Sequence, residues 1–113
     1  MSQADINEIE LSIKEAKDMV AMAKAVERLY KNADFKQIVL DGYFENEAVR
    51  LVHLKADPAM QDEKSQKMII QGMDAIGALR GYFNWLTQQG NLALKAIEDG
   101  EDTLDELRAE GLD

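Results

Sequence analysis

From Ile69 to Leu107 one set of positions repeats in steps of three and four without a slip: Ile69, Gly72, Ile76, Leu79, Phe83, Leu86, Gly90, Ala93, Ile97, Gly100, Leu104 and Leu107. Those steps put every member on one stripe of an α-helix, the seam along which helices pack on one another. A half-buried strand alternates with a period of two, so this stretch has no reading as sheet. The expected fold class is all-α.

The N-terminal stretch carries the same rhythm at Ile6, Ile9, Ile13, Ala16, Val20 and Ala23. A second stripe, Met19, Met22, Val26 and Leu29, widens the apolar face later in the segment, and its methionines suit the irregular gaps of a core. Asp5 followed by Glu8 has the form of a capping box, so a helix is expected over 5–31.

Between the two rhythmic stretches lies the part of the chain densest in aromatic and β-branched residues. Asn32-Ala33-Asp34 marks a break, and Asp34 with Gln37 repeats the capping pattern. A short helix over 35–40 is expected to stop at Asp41-Gly42, with glycine supplying a left-handed closing residue. A further helix over 45–55 ends at Asp57-Pro58, because the residue before proline avoids helical geometry. Asp57 is also placed to cap the next helical turn, with Pro58 at its first position.

The register runs straight through the glycines of the long C-terminal stretch, so they need not break it. Each interior glycine costs about 1 kcal/mol against alanine, so Gly72, Gly77, Gly81 and Gly90 together give up roughly 4 kcal/mol before packing. Close approach of another helix offsets that, and Gly77 with Gly81 has the small-xxx-small spacing that permits it. The alternative is a segmented helix hinged at Asp99-Gly100, leaving a separate amphipathic helix over 101–110 with Leu104 and Leu107 as its thin seam. Ten residues alone are marginally helical in water, so such a helix docks on its own chain, a second copy or another protein.

The 113 residues carry 22 acidic and 13 basic side chains, a net charge of −9, and no cysteine. The charge is local. Residues 98–113 hold eight acids and one base, whereas 1–97 hold fourteen acids and twelve bases. The body is almost neutral and ends in an acidic C-terminal segment that reads as detachable, an interaction tail or a solvated terminus. Without cysteine there is no disulfide framework and no thiolate zinc site. Scattered bases in an acidic chain argue against direct binding of duplex nucleic acid, which needs clustered Lys and Arg. No apolar run reaches the length of a membrane span, and the N-terminus lacks the layout of a signal peptide, so the cytoplasm is the expected compartment.

No motif names a reaction. His53 is the sole histidine, and Arg50 stands where a Glu-x-x-His metal pair would need its glutamate. The carboxylates between Asp99 and Asp105 lack the glycine and closing glutamate of a calcium loop. Gly77-x-x-x-Gly81 is followed by no Lys-Ser or Lys-Thr pair, so it is not a phosphate loop. Ser2, Ser12 and Ser65 have no evident activating base. The expectation is a non-enzyme with no cofactor and no metal. Among the aromatic residues Tyr43, Phe44, Tyr82, Phe83 and Trp85, core packing is the ordinary role. Tyr82 and Trp85 share a helix face and are candidate partner anchors. Arg50 and Arg80 are expected to be ion-paired.

Asp34-Phe35-Lys36, Asp41-Gly42-Tyr43-Phe44, Glu47-Ala48-Val49-Arg50-Leu51 and Ala56-Asp57-Pro58 resemble segments of small helical proteins of tailed bacteriophages. The block Ala75-Ile76-Gly77-Ala78-Leu79-Arg80-Gly81-Tyr82-Phe83 and the acidic Glu-Leu-rich end are similar too, so the resemblance covers the chain from about residue 30 onward. It supplies no catalytic residues to carry over, and it implies a phage origin and a role as head-associated component, scaffold-like factor or assembly adaptor, in the host cytoplasm and in the virion.

The expected architecture is one domain, 1–113. Two long antiparallel helices form a coiled-coil-like hairpin around a short two-helix insertion, the rods being roughly 40 Å and 55 Å or more. Rods of that length bury little per residue alone, which points to a homo-oligomer. The expected packing and self-association residues are Ile69, Gly72, Ile76, Gly77, Leu79, Gly81, Phe83, Leu86, Gly90 and Ile97. Tyr82, Trp85, Asp102, Leu104, Asp105 and Leu107 are the candidates for contact with protein partners. The competing function is an early phage protein that inhibits a host enzyme or defence factor through its acidic end. A small metal- or ligand-binding bundle, resting on His53 and the carboxylates, is a third class.

Overall fold

The computed structural model describes residues 3–111; Ser2 and the last two residues of the acidic segment lie outside them. Among the described residues there is no strand, and the chain is all-α. Helix α1 spans Gln3–Lys31, a single turn α2 spans Ala33–Phe35, a π-helix spans Lys36–Glu47, and α3 spans Ala48–Ala56. A 3₁₀ turn at Pro58–Met60 leads into α4, Glu63–Gly111.

The breaks fall where side chains can replace backbone partners. Asn32 is extended, and its Oδ1 accepts from the Phe35 amide at 2.9 Å. The cap is therefore Asn32 and not Asp34, which sits exposed inside the next turn. In α1, already helical at Gln3, Asp5 lies in the first turn; an acid there is favoured by the exposed amides and the helix dipole. Asp57 is extended and accepts from the Ala59 amide at 2.9 Å, with Pro58 opening the turn, as its place before proline suggests. Asp62 accepts from the Ser65 amide at 3.0 Å and starts α4. Two glutamines close this corner: Gln61 Nε2 donates to the Lys55 and Asp57 carbonyls at 2.9 and 2.7 Å, and Gln66 Nε2 to the Lys55 and Met60 carbonyls at 3.0 and 2.7 Å. They satisfy carbonyls that the end of α3 leaves without helical donors.

The expected stop at Asp41-Gly42 does not occur. Among the described residues none has positive φ, and helix runs on from Ala33 to Ala56. The reason is the spacing of the apolar side chains. Phe35, Val39, Leu40, Tyr43, Phe44 and Ala48 are the partly or fully buried apolar positions, and they recur every four to five residues. An α-helix would turn half of them outward. A π-helix, bonded from i to i+5, keeps them on one side. Instead of two short helices there is one helical stretch that changes pitch.

A hinge at Asp99-Gly100 is absent as well. The helix α4 is unbroken through all its interior glycines, and residues 101–110 are its last turns.

The described residues form two compact units. One comprises the chain up to Val26 and from Trp85 onward, the other Glu27–Asn84. In the first, Ile13, Val26, Leu86, Ala93, Leu104 and Leu107 are buried. Ala23 lies at Gly90, Ile13 at Gly100, and Glu10 at Arg108, so residue numbers fall along one segment as they rise along the other. In the second, Phe44, Leu51, Ile69 and Ile76 make the core, with Val39, Leu40, Tyr43, Leu54, Met73 and Phe83 packed against it. Phe83 gathers an aromatic cluster, with ring centroids 5.9 Å from Tyr30, 5.8 Å from Phe35 and 6.2 Å from Phe44.

Candidate functional site

The surface of α4 is where the expected packing and partner residues fall, and the two units sort them differently. In the Glu27–Asn84 unit, Ile69 and Ile76 are buried and Phe83 is half-buried. A Cβ built on Gly72 would lie 3.2 Å from Leu51 Cδ1, so α3 occupies the notch that glycine leaves. Leu79, although in the same three-four series, is exposed. Gly77 and Gly81 do not serve close approach within the chain: a Cβ on either would meet nothing within 4 Å. Tyr82 is 50% exposed.

In the other unit the seam is filled. Leu86 is buried, Ile97 is half-buried, and Gly90 and Gly100 each face a side chain of α1. Leu104 and Leu107, 5% and 7% exposed, belong to this core and not to the outer surface. The acidic end is therefore no detachable tail: the described part of 98–113 is built into the unit by Gly100 against Ile13, by those two leucines, and by Arg108 pairing with Glu10 at 2.9 Å. Asp102, Asp105 and the other described carboxylates of this end point outward and are exposed. Trp85 is 49% exposed. An open cleft of about 520 Å³ between the segments is lined by Glu10, Ile13, Lys14, Lys17, Glu101, Leu104, Asp105 and Arg108. Its cations and carboxylates are equal in number, so it favours no ligand of one sign.

Arg50 is ion-paired as expected. Its Nε donates to both carboxylate oxygens of Glu47 at 3.0 and 3.1 Å, and its terminal nitrogen pairs with Glu47 Oε1. The hydrogen bonds from Arg50 hold the Glu47 carboxyl below its ordinary value, and Glu47 raises Arg50 in return. The pair borders a cleft of about 450 Å³ floored by Leu51, Leu54, Met68 and Ile69. Arg80 departs from expectation: it forms no ion pair with any described residue, although it borders a small cleft beside Glu45 and Asn84. His53 is exposed, and among the described residues no cluster of His, Asp and Glu could hold a metal ion. No helix among them is long and apolar enough to cross a membrane.

The chain matches no family model, no curated protein and no solved structure. The geometry of α4 thus carries the functional reading.

Two features of these surfaces escaped the sequence reading. Tyr30 and Phe35 join Phe83 in one aromatic cluster, with Tyr30 and Phe35 stacked at 6.0 Å; their proximity comes from the turn at Asn32, which no periodicity signals. The other is the π pitch, legible in the four-to-five spacing of apolar residues over 35–48.

Proposed function

We propose that this chain is a non-enzymatic helical protein that self-associates through its long helices, as a component of a tailed-phage particle or of its assembly. The observation that carries the reading is apolar surface left exposed in each unit: Leu11, Met22, Leu92 and Leu94 in one, Ile38, Val49, Val52, Met68 and Ile70 in the other. Large apolar side chains left exposed in this number suit a chain that is covered by copies of itself.

In this reading α1 and α4 are the two arms of an antiparallel, coiled-coil-like hairpin and residues 33–60 are its insertion. The phage assignment rests on the sequence resemblance alone. Light scattering over a range of concentrations tests self-association, and sedimentation with purified particles tests the assignment. A strict monomer that never enters particles refutes the proposal.

A second reading, an inhibitor of a host protein, is favoured by the outward carboxylates of the α4 end. Neutralising Asp102, Asp105 and Glu106 to the amides tests it, because these side chains leave the buried Leu104 and Leu107 untouched. Unchanged host-protein binding by that variant would exclude this route.

A further inference from the structure

We propose that a second copy of this chain docks along the outer face of α4, antiparallel, with Tyr82 of each copy against Trp85 of the other. This rests on the self-association proposed above and adds the face, the direction and the contacts.

A second three-four series runs along α4 beside the buried seam. Ala75, Ala78, Tyr82, Trp85, Gln89 and Leu92 follow one another in steps of three and four, so the geometry of one unbroken helix places them on a single stripe. At about 100° per residue, that stripe lies about 120° around the helix from Ile69, Ile76 and Phe83. Gln89 is half-buried and the other five are exposed, Tyr82 at 50%, Trp85 at 49% and Leu92 at 64%.

Charge is missing from this face. From Ala75 to Leu94 the one charged side chain is Arg80, where the chain's average of 31% predicts about six. Arg80 lies on the opposite side of the helix, in the cleft with Tyr30, Phe44 and Glu45. A solvated helix face carries charge, whereas the centre of a protein interface is depleted in it and enriched in Tyr and Trp.

The occupant follows from the pattern. A twofold axis between Phe83 and Asn84 sets Tyr82 opposite Trp85, Ala78 opposite Gln89 and Ala75 opposite Leu92. Small side chains then meet large ones, and each contact occurs twice, as an isologous interface requires. Flanking charge selects the direction. Asp74 and Lys95 bound the uncharged stretch, three heptads apart, so both stand on the same flank of the stripe. Reversing the second helix brings Asp74 of each copy to Lys95 of the other. A parallel partner would set Asp74 level with Asp74 and Lys95 level with Lys95.

Sedimentation of the full chain over a range of concentrations tests the face, with folding checked by circular dichroism. Leu92→Lys places a charge opposite Ala75 and weakens association about tenfold or more, whereas Leu94→Lys, also exposed but off the stripe, leaves it unchanged. Asp74→Lys and Lys95→Asp each weaken it about fivefold at low salt, and the double variant restores it. Because the chain has no cysteine, oxidation reads the direction. Ala75→Cys mixed with Leu92→Cys yields a disulfide-linked pair, and Ala75→Cys alone does not. If wild type associates but Leu92→Lys has no effect, or the mixed cysteine variants fail to link, this face is wrong while self-association stands. Linkage of Ala75→Cys to itself overturns the antiparallel docking. If wild type is monomeric throughout, both proposals fall.

Discussion

The Cβ of Ala23 sits against the bare Cα of Gly90, so close that a Cβ built on Gly90 would lie 2.2 Å from it. The contact joins α1 and α4 within one unit at the point of tightest helix approach among the glycines. Alanine at 90 gains about 1 kcal/mol of helix propensity. It also forces backbones apart, and overpacking of this kind costs about 1–3 kcal/mol. Gly90→Ala is expected to destabilise by about 1 kcal/mol net, and Ala23→Gly added to it relieves the clash. Urea unfolding of the single and double variants measures both effects. A Gly90→Ala protein more stable than wild type would show that the helices yield freely here.

Phe83 is the hub of the second unit, with four ring neighbours in tilted or edge-on geometry, Tyr30, Phe35, Phe44 and the adjacent Tyr82. Truncation removes those contacts at once, so Phe83→Ala should cost about 3 kcal/mol. Tyr82→Ala, next in sequence but half exposed, should cost far less. Chemical denaturation of the two variants side by side checks the contrast.

Gly42 lies within the π-helix, and a Cβ there would stand 3.0 Å from the Gln37 carbonyl oxygen. The obstacle is backbone and cannot swing away. Gly42→Ala is expected to destabilise the unit by about 1 kcal/mol or more and to perturb the backbone chemical shifts of residues 36–47. Unaltered shifts together with a raised unfolding midpoint would contradict this.

Acid acts on the start of α4. Hydrogen bonds from the Ser65 hydroxyl and amide hold the Asp62 carboxyl below its ordinary value. A lowered carboxyl contributes stability that is fully present above its ordinary, unfolded-state value and is lost as pH falls through the lowered one. The Ser65 amide shift should therefore stay flat from neutral pH down to the ordinary aspartate range, then move as Asp62 protonates. In Asp62→Asn that titration should vanish.

The repeat from Ile69 to Leu107 determined by itself that this protein is helical and which stripe of α4 is apolar, because a three-four spacing has one geometric solution. Asp57-Pro58 likewise marks a helix end from local chemistry alone. The pitch over 35–48 was written in the spacing of Phe35, Val39, Tyr43, Phe44 and Ala48, yet Asp41-Gly42 imitates a stop signal, and only packing against Leu51, Ile69 and Ile76 decides between them. Tertiary structure also decided what each glycine is for. Gly72, Gly77, Gly81, Gly90 and Gly100 are alike in sequence, but a glycine's role lies in what approaches it, and approach is set by residues distant along the chain. The same holds for the acidic end. Its charge is local and legible; its attachment depends on Ile13 and Glu10, nearly a hundred residues away.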